Sequence, residues 1–498
     1  MAYKLPADCL NEIFEYFADD KISLHSCLLV NRLWSEVTVR ILWRDIWRFL
    51  IFNENHAKSK SSLHIFRTLT AYLPSESIDL LLMNGIDIPT PISRTPYFNY
   101  VSFMKVLSFP DIGHMIESLM DQFNTISQSL DYNEHLVSQE LLKALMKHFS
   151  SLKTLDFCTE SSRITQNIPF THFPGATECL ADVTTLSCDS DAMLCPQLFR
   201  KIQSLSITFD DMISDELVQL IHSQQTLKDL EINAQFDMDW SIILPTFEPA
   251  LRKHYHTIIK TKLLFNGCDM PFSLISSCFN LQELVISIYP IFSMGLQPHS
   301  DNFDELQFAT FPNLRIFKIP YDIPKIETLI KFLEKNGKNL NELRTSKDYA
   351  YVDNSLNRSI AQFCPNLKKL TINFENDGLV TLKSIFDHCV GLESIIIWCK
   401  DNRLDGVELF ELVAKHSPKN FCQLKIDLDF LFLPKDLESF FTSWWDRRPR
   451  KSLTLIFFKD KFEGYEVSEE NIKIIERFIK LGTIKRFEMT DGFFYHDH

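Results

Sequence analysis

The 498-residue sequence predicts an α/β chain with three parts: a short N-terminal head of three helices (1–48), a mainly helical connector (49–148) and a long, irregular, horseshoe-like solenoid of strand-and-helix units (149–498). Three observations predict it. An apolar stripe at helical spacing opens the chain, and a unit reading apolar-x-x-apolar-x-apolar recurs from about residue 149 onward. Glycine is scarce, 12 residues against 42 Phe, which argues against folds built on tight hairpins and against phosphate-cradling loops.

In the head, Leu10, Ile13, Phe14 and Phe17 fall at i, i+3, i+4 and i+7, one face of a helix. Pro6 suits a first helical turn, where its missing N–H is not needed. Further apolar sets follow at Leu24, Cys27 and Leu28, and at Leu33, Trp34, Val37 and Ile41. Helices this short cannot bury every one of these side chains among themselves, so apolar surface is left over for a partner. In order and spacing, Leu5-Pro6, Ile13-Phe14 and Val30-Asn31-Arg32-Leu33-Trp34 resemble the F-box, the adaptor-docking module of cullin-based ubiquitin ligases. The sequence departs from that pattern at Cys9-Leu10 after Asp8, where an acidic residue and Leu commonly follow the Pro, and at Asn31-Arg32, where Cys-Lys or Ser-Lys is usual. Neither change alters the apolar stripe. The resemblance implies an adaptor-binding face made of Leu5, Pro6, Leu10, Ile13, Phe14, Leu28, Val30 and Trp34, some of which must also pack the helices together. The plain alternative is a helical cap on the larger domain.

Composition bounds the function. Apolar residues at 45% and charged residues at 23% are ordinary for a globular chain that buries a core. A net charge of −14 disfavours nucleic acid, whose binding depends on neutralising phosphates. The 12 cysteines are scattered with no Cys-x-x-Cys pair, and the N-terminus lacks a signal pattern, so reduced thiols in the cytoplasm and/or nucleus are expected. No apolar run approaches the roughly 18 residues of a membrane span.

The connector opens on a polar loop at Asn53–Ser62. Residues 63–85 have helical periodicity through Leu63, Phe66, Leu69 and Leu73, Pro89, Pro91 and Pro96 mark a loop, and 100–122 and 134–149 return to helix. The repeat unit is clearest at Leu152–Phe157, Leu227–Ile232, Leu281–Ile286, Leu314–Ile319, Leu367–Ile372 and Leu392–Ile397. Weaker copies sit at Val183–Cys188, Ile202–Ile207, Leu340–Thr345, Phe421–Ile426, Leu453–Leu455 and Ile484–Met489, with a hidden one at Leu263–Phe265, thirteen in all. The mean step of about 27 residues resembles that of leucine-rich repeats, closest to the cysteine-containing, ligase-associated kind. Asn280, Asn313, Asn339 and Asn366 each precede a leading Leu, and Cys278, Cys364 and Cys389 stand slightly ahead. One such unit cannot cover its own apolar face; stacked neighbours can. Unrelated βα units in a doubly wound sheet are the competing explanation. Two irregular stretches, 159–178 and 288–312, interrupt the array as insertions or functional loops.

Catalytic motifs are missing. Asn336-Gly337-Lys338-Asn339 is far from a P-loop, and no Gly-x-Ser-x-Gly or His-Glu-x-x-His occurs. Tyr495-His496-Asp497-His498 offers metal-ligand types but at a chain end, where four rigid ligands are not expected. Cys389 beside His388 reads as a small core residue rather than a nucleophile. No cofactor and no catalytic residue are expected. Trp444-Trp445-Asp446-Arg447-Arg448-Pro449-Arg450-Lys451 joins four cations to two aromatics, as an inter-repeat loop, an acidic- or phosphopeptide contact, or an import patch.

The resemblances together imply a non-enzymatic substrate receptor of an SCF-type ubiquitin ligase. Its head would dock a Skp-type adaptor and through it a cullin, and its array would capture a protein substrate. Strand positions between the inward residues, Glu231, Lys318, Arg344, Thr371, Lys425 and Glu488, are expected on the exposed concave side. Their mixed signs suit a protein or peptide rather than a polyanion. The alternative is a repeat-built binding scaffold outside ubiquitination.

Overall fold

The computed structural model describes residues 5–50, 60–88, 96–120, 124–125, 130–158, 168–210, 212–234, 238–266, 271–289, 300–320, 325–346, 354–374, 378–398, 405–427, 433–459 and 468–491. Most of the Asn53–Ser62 loop, Pro89 and Pro91, residues 159–167 and 290–299 of the two irregular stretches and the Tyr495–His498 tail lie outside them. The chain divides into two compact units, Met1–Asp229 with Ile242–Lys253, and Leu230–Ser241 with His254–His498. Among the described residues, beside a short antiparallel pair (Ile86–Asp87 with Asn124–Thr125), fourteen strands succeed one another in chain order, and every pairing described between them is parallel. All thirteen copies of the repeat unit carry one, and one more strand precedes them.

The first unit begins with helices α1 (Ala7–Glu15), α2 (Lys21–Leu28) and α3 (Arg32–Arg44). Pro6 stands just ahead of α1. The Asp20 carboxylate accepts from the Ile22 and Ser23 amides to start α2, and the Asn31 side chain accepts from the Trp34 amide at 3.0 Å to start α3. Leu10, Phe14, Leu24, Cys27, Val37 and Ile41 form the core between them. Phe14 meets the Trp34 ring edge-on at 4.9 Å, and Arg44 donates two 2.9 Å bonds to Glu15.

The far end of α3 is sealed against the connector. Val39, Trp43, Ile46 and Trp47 are buried, Trp43 lies 4.6 Å from the Tyr100 ring, and the Trp47 indole N–H donates to the Val106 carbonyl. The connector differs from the sequence expectation in two places. Residues 63–85 form two helices, Lys60–Thr70 and Ser75–Met83, because Pro74 has no N–H to continue the first. The 100–122 stretch is a helix (Tyr100–Phe103), a strand (Val106–Ser108) and a second helix (Phe109–Met120). That strand pairs in parallel with Thr154–Asp156, so the repeats start well before residue 149. Thr185–Asp189 and Ser204–Phe209 continue the series.

The second unit continues with Lys260–Asn266, Glu283–Tyr289, Ile316–Lys318, Glu342–Arg344, Lys369–Asn373, Ser394–Trp398, Gln423–Asp427, Leu453–Lys459 and Ile484–Asp491, each paired with the next. Helices such as Ile326–Asn336, Gly378–His388 and Gly406–His416 return the chain between strands. At several turns into a strand, one carbonyl accepts two successive amides of the next repeat: Gln282 from Arg315 and Ile316, Arg315 from Asn341 and Glu342, Asn341 from Lys368 and Lys369. The recurrent asparagines add a side-chain ladder there. Asn280, Asn313, Asn339 and Asn366 donate to the carbonyls of His256, Phe279, Pro312 and Lys338. In the last three the acceptor residue immediately precedes the previous repeat's asparagine. The chain's many Phe side chains pack both within a repeat, as in Phe317–Phe332 at 4.6 Å, and between repeats, as in Phe410–Phe440 at 4.3 Å.

Candidate functional site

Two surfaces carry the sequence-predicted residues, one on each unit. On the head, the apolar stripe separates into two sets. Leu10 and Phe14 are buried and pack the helices, while Leu28 and Trp34 are half-buried. Leu5, Pro6, Ile13 and Val30 are exposed, Ile13 at 42% and Val30 at 55%. Sequence reasoning missed three neighbours: Tyr16, Ile22 at 80% and Leu29 at 76% exposed. Ile22 and Leu29 flank the buried Leu24 and Cys27 of α2, and their signal was an apolar excess beyond one stripe. A groove of about 610 Å³ opens beside Leu5, Leu10, Leu33 and Trp34, with the Arg32–Glu36 pair (3.1 Å) along it. It is mostly apolar, with few groups to pay for burying a polar ligand, and so suits an apolar partner segment.

On the second unit, five of the six predicted strand positions share one register row, and the sixth, Glu231, is tied to it by an ion pair. Lys318, Arg344 and Thr371 are successive partners, the row continues through Ile396 to Lys425 and through Ile456 to Glu488, and Glu231 reaches it through Lys262 at 3.3 Å. Five of the six are partly exposed. Thr371 is the correction: it is buried, a short side chain between Arg344 and Ile396. The adjacent row adds Lys260, Glu283, Glu342 and Lys369, linked through Lys318 into an alternating ion-pair chain with separations of 3.5–3.8 Å. Arg344 joins no carboxylate among the described residues. Towards the end of the same face Trp398 stacks on Phe458 at 4.6 Å. The face therefore carries an ion-paired charged stretch followed by a half-buried Trp398 backed by the buried Phe458, with Lys425 and Glu488 on the strands beside them, a mixture that protein interfaces also use.

The other candidates fare differently. Among the described residues no group of His, Cys, Asp or Glu is arranged to hold a metal, and no helix is long and apolar enough to cross a membrane. Cys278 and Cys389 are buried, and burial pushes both thiols up to about 12, the reverse of what a nucleophile needs. Cys364 shifts the same way, with Cys389 adding to it. In the Trp444–Lys451 motif Trp444 is buried, not exposed; its indole N–H closes the turn onto the Lys451 carbonyl at 2.8 Å. In the connector helix Leu130–Met146, Asn133, Glu134 and Ser138 are buried with side-chain atoms that find no hydrogen-bond partner among the described residues. Burial first, then Glu117 and Asp131, raises the Glu134 carboxyl from 4.5 to about 7.

No family model matches this chain, and no curated protein does. Among solved structures, a leucine-rich-repeat-containing protein from Legionella pneumophila is 14% identical, covering 49% of this chain and 87% of its own, with a TM-score of 0.32. A leucine-rich-repeat protein from Leptospira interrogans is 12% identical, covering 82% of this chain and 98% of its own, also at 0.32.

Proposed function

We propose that this chain is a non-catalytic recognition subunit, working in the cytoplasm and/or nucleus, whose head docks a Skp-type adaptor and thereby a cullin, while its repeats hold a protein for ubiquitination. The observation that carries this is the apolar set left uncovered on the head, Leu5, Ile13, Ile22, Leu29 and Val30, in contrast to the aromatic side chains at the far end of α3, Trp43 and Trp47, which are buried. The F-box resemblance of the same segment gives that set its partner. Chemistry would come from the associated enzyme. This chain's share is effective concentration: a substrate lysine held near a charged enzyme reacts in place of a rare encounter.

Co-purification with a recombinant Skp-type adaptor and cullin tests the reading. Ile13→Asp with Val30→Asp should abolish co-purification while the melting temperature stays put, since exposed substitutions usually shift stability by no more than about 0.5 kcal/mol. Adaptor binding by the double variant equal to wild type would end the proposal. On the array, Lys318→Glu with Arg344→Glu and Lys425→Glu should abolish substrate capture and leave adaptor binding intact. A second reading, a binding scaffold outside ubiquitination, rests on the mixed-charge strand face alone, which needs no cullin. An adaptor that binds without bringing a cullin would favour it.

A further inference from the structure

The turn after the Pro434–Trp445 helix holds cations that nothing in the proposed role uses. Arg447 has a structural task. Its guanidinium lies 4.2 Å over the Trp444 ring and donates to the Ser417 hydroxyl at 2.5 Å, the Ser417 carbonyl at 2.6 Å and the Pro418 carbonyl at 3.1 Å, closing the end of the preceding repeat's helix. The remaining cations face solvent. Arg448 reaches only the carbonyls of its own turn. Lys451 touches the Asn420 amide oxygen, and Lys419 lies exposed beside Asn420. Arg450 lies 4.0 Å over the ring of Trp445, a stack that holds the guanidinium plane in place. None of these four pairs with a carboxylate among the described residues, and the turn's own acid, Asp446, is exposed beside them.

We infer that this turn is an anion-recognition site for a short acidic segment of a partner protein, with oxyanions, carboxylate or phosphate, seated on Arg450 and its neighbours Arg448, Lys451 and Lys419. Two arguments carry it. A guanidinium stacked on an indole is already oriented, so forming a two-pronged bond to an oxyanion costs little further ordering. The surrounding chain carries −14, so a long polyanion such as RNA, or an anionic membrane, meets repulsion beyond the patch, whereas a few compact charges do not. The site is independent of what the head docks.

Fluorescence anisotropy tests it on the full chain, with a labelled octaglutamate peptide, a Gly-Ser peptide bearing several phosphoserines, and its unphosphorylated form, at physiological ionic strength. Saturable binding of either acidic peptide is expected, with the ratio of the two naming the oxyanion. Arg448→Gln with Arg450→Gln and Lys451→Gln should weaken it about tenfold, the summed effect of exposed pairs. Arg450→Lys, which keeps charge but loses the fork, should weaken it in part. Thermal melts of these exposed variants should match wild type. Equal binding by the triple variant, binding of the neutral peptide, or tighter binding of an RNA oligonucleotide or phosphatidylserine vesicles would overturn the inference.

Discussion

The head and the repeats of the second unit treat apolar side chains in opposite ways. In the second unit strands and return helices cover one another's apolar faces within and between repeats, so Phe317 finds Phe332 on the following helix and Phe410 finds Phe440 on the neighbouring repeat's helix. In the head three helices enclose only six core residues and leave others of the same kind outside. A repeat series can lengthen until its apolar faces are covered; three short helices cannot. The exposure on the head thus follows from geometry, too few residues to enclose what three helices present, rather than from a poorly packed core.

That contrast can be broken from either side. The largest effect belongs to the covered interior: Phe332→Ala should cost about 3–5 kcal/mol by leaving a cavity against Phe317 and Phe311, read by chemical denaturation. Gly337→Ala should come next. An added Cβ would stand 2.7 Å from the Cys364 sulfur and 2.9 Å from the Phe363 carbonyl oxygen, and such overpacking costs about 1–3 kcal/mol. Asn339→Ala, losing its 2.8 Å bond to Pro312, should cost about 1 kcal/mol. The complementary change, Gly391→Asn, places a side chain where the ladder lapses; its Cβ meets only the Leu367 carbonyl oxygen at 3.7 Å, and a gain of about 0.5–1 kcal/mol in a thermal melt would show the ladder extended. The finest probe is pH. Glu134 has its carboxyl raised in the folded state, so its contribution is intact below the ordinary 4.5 and is lost as pH climbs towards 7. Glu134→Gln should flatten the pH dependence of the melting temperature across that window, and an unchanged slope would assign it elsewhere.

Much of the strand series was legible because alternation and the leading Leu recur together. The strand at Val106–Ser108 obeys the same rule through Met104, Leu107 and Phe109, all buried, but without a leading Leu it merged with the helical periodicity around it. The head's division of labour was not legible: Ile13 and Phe14 are neighbours on one stripe, and only the placement of α3 decides that Phe14 meets Trp34 while Ile13 faces outward. Likewise Thr371 alternates correctly, yet its burial depends on the length of the side chains at Arg344 and Ile396, which lie in other repeats. The motif after Trp444 showed its charge but not that Arg447 had been recruited to a neighbouring helix end.

The asparagine ladder has a direction. Each of its four members, Asn280, Asn313, Asn339 and Asn366, reaches back to a carbonyl laid down earlier in the chain. During synthesis a newly emerged repeat therefore always finds its acceptor waiting. Trimming the array from its far end strips away donors and leaves carbonyls that water satisfies at little cost, whereas excising an early repeat orphans the amide that follows it. Shortened forms that keep the beginning should outlast those that keep the end.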